Sequence, residues 1–232
     1  MNEELVDIHL VSGNITVFCG PHTQQFKSDV LNSSLYVELL AARASNDRDI
    51  SWTTYSNTLT KLGWVINSRV PERSEFNKSS LLGLVTESID SYLPAYDHQA
   101  LVDAFSKLTA LPADSLAVET LINKLKVNAA VTDDQKITSL TNTAVPTAML
   151  LTIVRQDEAI LTLQIAFTTT VGIAIDLLEQ PVLKATKSTK NNIRLLRCSL
   201  DKTRYEQIRD TVITKLGSKI KTELLHVEVP SA

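Results

Sequence analysis

Few residues of this chain have types and spacing suited to chemistry. Cys19 and His22 flank Gly20-Pro21, and a thiol three residues from an imidazole is the minimum needed for a nucleophile and its base. The competing reading, an ordinary strand-to-helix loop, suits the Gly-Pro pair better. The other histidines are His9, His98 and His226. His9 and His226 fall at alternating positions of β-rich runs, where an outward, solvated imidazole is the expectation, and His98 follows Asp97 at the start of a helical pattern. No pair has the HExxH spacing or another metal-ligand signature. GxSxG, GxxxxGK[ST] and GxGxxG are all missing, so no catalytic, cofactor-binding or metal-binding residue is assigned and no cofactor is expected. Cys19 and Cys198 form no CxxC or Cys/His cluster and read as two free thiols. The sequons at Asn14, Asn32 and Asn77 read as accidental.

Composition narrows the function classes further. The 232 residues are 44% hydrophobic and 21% charged, with six Gly and seven Pro, values of an ordinary globular chain with no low-complexity linker. Such a length buries roughly 70 to 75% of the unfolded surface, enough for a substantial core. A net charge of -3 from 23 basic and 26 acidic residues gives no general attraction to phosphate backbones, so nucleic acid is not an expected partner. The start, MNEELVDIHL, has neither a basic n-region nor an apolar h-region, which reads as cytoplasmic when synthesised and leaves signal-independent export open.

The elements that must position these residues follow from periodicity. Residues 5–18 read as a β-hairpin around Ser12-Gly13-Asn14. Residues 28–127 read as mainly helical, with Ser28 or Asp29 and then Ser51 as N-caps and with Gly63, Pro94 and Pro112 as breaks. Trp52 and Tyr55 lie on one helical face, where core filling is the commoner role and a ligand pocket the alternative. From 147 to 200 the period is two: Met149–Val154 and Ala159–Phe167 flank a charged turn, and Ile193–Cys198 adds a strand. Residues 201–217 form a helix ending at Gly217, and 224–229 a last strand. The expected fold class is α+β, one domain over 1–232, with a helical N-terminal half on a largely antiparallel sheet from the C-terminal half and a C-terminal helix.

One run stands out. Leu161 to Ile175, LTLQIAFTTTVGIAI, is large and apolar at odd positions, small at even ones and charged at neither. A single strand of that length would be about 50 Å long, so a bend is expected at Thr168-Thr169-Thr170. The odd face belongs under helices. The even face needs some cover, which makes Thr162, Gln164, Thr168 and Thr170 a candidate interaction surface. Lys184, Lys187 and Lys190, with Arg194, form the densest basic cluster and extend it.

Three segments, DVLNSSLYVELLAARAS, WTTYSNTLTKLGWVINS and LDKTRYEQIRDTVITKLG, resemble a family of uncharacterised bacterial and fungal proteins. In that family a Trp-x-x-Tyr…Gly-Trp-Val segment recurs beside an antiparallel sheet. The resemblance covers about a third of the chain and implies no activity. A looser, architectural similarity is to Cyt-type cytolysins, which place amphipathic helices ahead of long strands. The expected function is therefore a non-catalytic protein that self-associates or binds a protein partner. The alternatives are a membrane-active, pore-forming protein and an enzyme with a dispersed site.

Overall fold

The structure, a computed structural model, describes residues 6–45, 48–72, 77–131, 145–169, 172–180, 183–184 and 193–228. Its strands are β1 (Val6–Val11), β2 (Asn14–Cys19), β3 (Trp64–Glu72), β4 (Asn77–Ser79), β5 (Val145–Val154), β6 (Ile160–Thr169), β7 (Leu183–Lys184), β8 (Ile193–Leu200) and β9 (Leu224–His226). Its α-helices are α1 (Gln24–Ala44), α2 (Arg48–Lys61), α3 (Leu81–Ile89), α4 (Ala95–Thr109), α5 (Leu116–Val131), α6 (Lys202–Glu206), α7 (Arg209–Leu216) and α8 (Lys219–Glu223).

The fold is α+β. One mixed sheet runs β3-β8-β6-β5-β2-β1-β9, with β4 and β7 attached beside β6. Among the described residues every pairing is antiparallel except β2 with β5. The sheet is not the property of the C-terminal half alone: the N-terminal hairpin sits inside it, between β5 and β9. That hairpin closes where Ser12 and Gly13 take φ of 49° and 81° and Val11 pairs with Asn14, the two-residue turn with positive φ at both centres that suits the strand twist.

Side chains alternate along each strand, so the two faces feed two cores. Ile8, Val17, Leu151, Leu163 and Leu195 face one core, closed by α3, α4 and α5. Phe18, Val154, Ile160, Leu196 and Cys198 face the other, closed by α1, α2 and the helices after Asp201. The odd positions of β6, Leu161, Leu163, Ile165 and Phe167, all lie in the first core as their periodicity requires. β6 ends at Thr169, in the triplet where a bend is expected, and Gly172 (φ 88°) leads into a short 3-10 turn at Ile175–Leu178.

Several boundaries differ from expectation for local reasons. Thr23, not Ser28 or Asp29, caps α1: its hydroxyl accepts from the Phe26 amide at 3.2 Å. Asp29 is instead inside the helix, 2% exposed. Ser51 lies within α2, which starts at Arg48. The 28–127 region is interrupted by β3 and β4, because Trp64 is needed in the second core, where its indole donates to Ser33 Oγ at 3.0 Å. Asp201 caps α6 by accepting from Arg204 N, but the C-terminal helix is broken into α6, α7 and α8. The break after α7 falls at Gly217 (φ 52°).

Candidate functional site

A cavity of about 150 Å³ opens where α1, α2 and α5 meet the start of β5. Its floor is Ala148, Met149 and Leu150 of β5 with Gln164 of β6. Trp52 and Tyr55, three apart on α2 and so on one face, stack with ring planes 3° apart and centroids at 5.8 Å. Tyr55 is buried, with its hydroxyl beside Thr152 and Thr162; burial pushes its pKa up. Trp52 is half-buried and offers its outer face. Glu38 of α1 and Lys124 of α5 pair across the rim at 2.7 Å. The approach of α5 depends on Gly13, where a Cβ would lie 2.5 Å from Lys124 Cβ. Asn14, 5% exposed, also lines the cavity. Its side-chain Nδ2 is buried and has no hydrogen-bond partner among the described residues.

A second polar cluster lies at the β1–β9 edge. Asp7 and His9 are two apart on β1 and so share a face, and His226 stands opposite His9 in the antiparallel register. Asp7 Oδ1 is 3.0 Å from Nε2 of both imidazoles. Asp7 Oδ2 takes the Lys27 ammonium at 2.5 Å. Burial acts to raise the pKa of Asp7, but the polar contacts and charges of His9 and Lys27 outweigh it and hold the carboxyl well below its usual range. Asp7, His9 and His226 are the described residues that could hold a metal ion.

The loop singled out for nucleophilic chemistry does not assemble. Cys19 is fully buried on the first-core face, its Sγ 3.8 Å from the Asp97 carbonyl oxygen. Burial, aided by Asp97 and opposed by Arg155, pushes its thiol up to about 12, so almost no thiolate exists at neutral pH. His22 packs between Phe18 and Phe26 on the second-core side, with centroids at 5.6 and 5.5 Å. Thiol and imidazole thus serve opposite sides of the sheet. Cys198 is also buried, its thiol likewise raised to about 12.

The expected interaction surface divides. Thr162 is 0% exposed, because Tyr55 lies over it, and it corrects to an interior residue. Gln164 is half-buried at the cavity floor, where its Oε1 accepts from Arg194 at 3.1 Å. Thr168 is half-buried and pairs with Pro146 and Lys184 in the ladder. Thr170, Lys187 and Lys190 lie outside the described residues. Of the surface candidates among the described residues, Gln164 joins the cavity, together with Trp52 and Tyr55 from the pocket alternative. Asn14, Glu38 and Lys124 carried no local signal. Asp7-x-His9 did carry one, same-face spacing in a strand, but its third member is 217 residues away.

No protein-family model matches the sequence, and no curated protein matches it. Among solved structures, a delta-endotoxin aligns over 80% of this chain and 80% of its own, at 12% identity and a TM-score of 0.30. So loose a likeness carries no argument about fold or function.

Proposed function

We propose that this chain is a non-catalytic binding protein whose partner is a small molecule: a planar apolar body about the size of one ring, bearing one hydrogen-bond acceptor. The observation that carries this reading is the amide of Asn14, unpartnered among the described residues, in a cavity whose apolar wall is Trp52, Val127, Met149 and Leu150 and whose polar lining includes Glu38, Lys124, Asn128 and Gln164. A buried donor without an acceptor costs about 1–3 kcal/mol, which a ligand carbonyl or ether recovers on binding. A volume of about 150 Å³ is the size that accepts a benzene-like molecule in an apolar interior. Binding rather than catalysis is favoured because the charged side chains of the lining, Glu38 and Lys124, neutralise each other. The reading also gives the uncharged face of β6 an internal cover, α2, in place of a second copy.

The test is a titration with benzamide followed by backbone amide shifts. Saturable shifts confined to Asn14, Gln164, the end of α1, α2, the middle of α5 and the start of β5 are expected, with toluene, which lacks the acceptor, binding more weakly. Shifts scattered over the surface, or none at millimolar benzamide, would remove the reading.

A further inference from the structure

We propose that Asp7, His9 and His226 form a site for a first-row divalent transition metal, Zn²⁺ in the first instance, which fastens β9 to β1. Two imidazoles and one carboxylate are a donor set that such ions take and that Ca²⁺ and Mg²⁺, which want oxygen, do not. One ligand atom from each residue lies within 4.8 Å of the others, and Asp7 Oδ1 stands 3.0 Å from both Nε2 atoms. Four-coordinate zinc with bonds near 2.0–2.1 Å spaces its ligand atoms by roughly 3.3 Å, so the two Asp7–His distances of 3.0 Å already suit it, and the imidazoles have to close only from within 4.8 Å.

The contacts are not ordinary hydrogen bonds. Asp7 Oδ1 and His9 Nε2 are both buried without a hydrogen-bond partner among the described residues, despite being 3.0 Å apart. Lys27 on Oδ2 leaves Oδ1 as the inward ligand, an outer contact that orients a metal-binding carboxylate. His226, 54% exposed, leaves the remaining position open to solvent.

The structural consequence concerns the last strand. β9 is three residues long and holds β1 through the pairs His9–His226, Leu10–Leu225 and Val11–Leu224. Backbone bonds Ser12 N to Glu223 O at 2.7 Å and Val227 N to Ile8 O at 2.9 Å flank it. So short an edge strand opens readily on its own, and an ion shared by both strands would hold it shut.

The experiment uses the full, untagged, chelator-stripped chain. Zn²⁺ added in a calorimeter should bind at one equivalent, Ca²⁺ should not, and Co²⁺ should develop visible d–d absorption. Zn²⁺ should also slow amide exchange at residues 224–226. His226→Ala, at an exposed position, should fold as the parent by circular dichroism and lose Zn²⁺ affinity by about tenfold or more; His9→Ala should do the same if it folds. No one-to-one Zn²⁺ binding, no Co²⁺ bands in the unaltered chain, or full affinity in His226→Ala would each overturn the site.

Discussion

Thr162 and Gln164, two residues apart on the same face of β6, end in different surroundings: one under a tyrosine, the other at a cavity floor. Periodicity assigns a residue to a face, but not what stands above that face, which here is set by α2, about a hundred residues earlier. The same limit applied to His22. Its spacing from Cys19 was legible, whereas its burial among Phe18 and Phe26 was not. That burial holds its imidazole below the ordinary 6.5; the nearby Lys27 charge acts in the same direction, while a bond to the Cys19 backbone and the charges of Glu158 and Asp97 oppose it. A folded value below the unfolded one means the native state favours the neutral ring. The stability this confers is complete above about pH 6.5 and is lost as pH falls through that value toward the lower folded one. Thermal unfolding between about pH 8 and pH 5 should therefore decline less steeply in His22→Phe than in the parent; superimposable profiles would contradict it.

At the scale of elements, strands were more legible than helix boundaries. Two-residue alternation and turn residues mark β1, β2, β5, β6 and β8, because successive side chains of a strand point to opposite faces of the sheet. α1 and α2 start ahead of the caps expected for them, because several Ser, Thr and Asp residues compete as caps and the choice depends on which of them tertiary contacts remove. Asp29 is removed by Arg209, which donates from Nε at 2.8 Å and Nη2 at 2.9 Å from the far end of the chain. Gly63 is the clearest case of local sequence and packing agreeing. It ends α2 at φ 83°, and a Cβ there would lie 3.2 Å from the Tyr205 amide nitrogen. Gly63→Ala should cost about 1–2 kcal/mol from the left-handed backbone alone, more if α6 must shift. A lowered denaturation midpoint would register it, and an unchanged midpoint would show that the turn has another conformation.

At the scale of the whole molecule, the α+β class was readable from the order of patterns, but the insertion of the N-terminal hairpin and its parallel contact with β5 were not. Those depend on pairing across more than a hundred residues, such as Ile15 with Leu151. The cavity and the β1–β9 cluster share that origin: each gathers side chains from segments that sequence order keeps apart. Closure of both sheet faces by helices also bears on membranes. No helix among the described residues is long and apolar enough to cross one. β5 and β6 have ten residues each, none charged, the length of a membrane-crossing strand, yet in this fold they lie between two helical layers. Liposomes of zwitterionic or anionic lipid should keep their trapped dye in the presence of the folded protein, and release would favour the membrane-active alternative.

The cavity is where the account stands or falls. Ala42 is exposed on α1 and lines that cavity, so Ala42→Phe should fill the space without touching either core. Calorimetric titration of benzamide into the parent and into Ala42→Phe is the direct measurement. One-site binding to the parent that is abolished in the equally stable variant is predicted; equal binding by both proteins, or by neither, would contradict it.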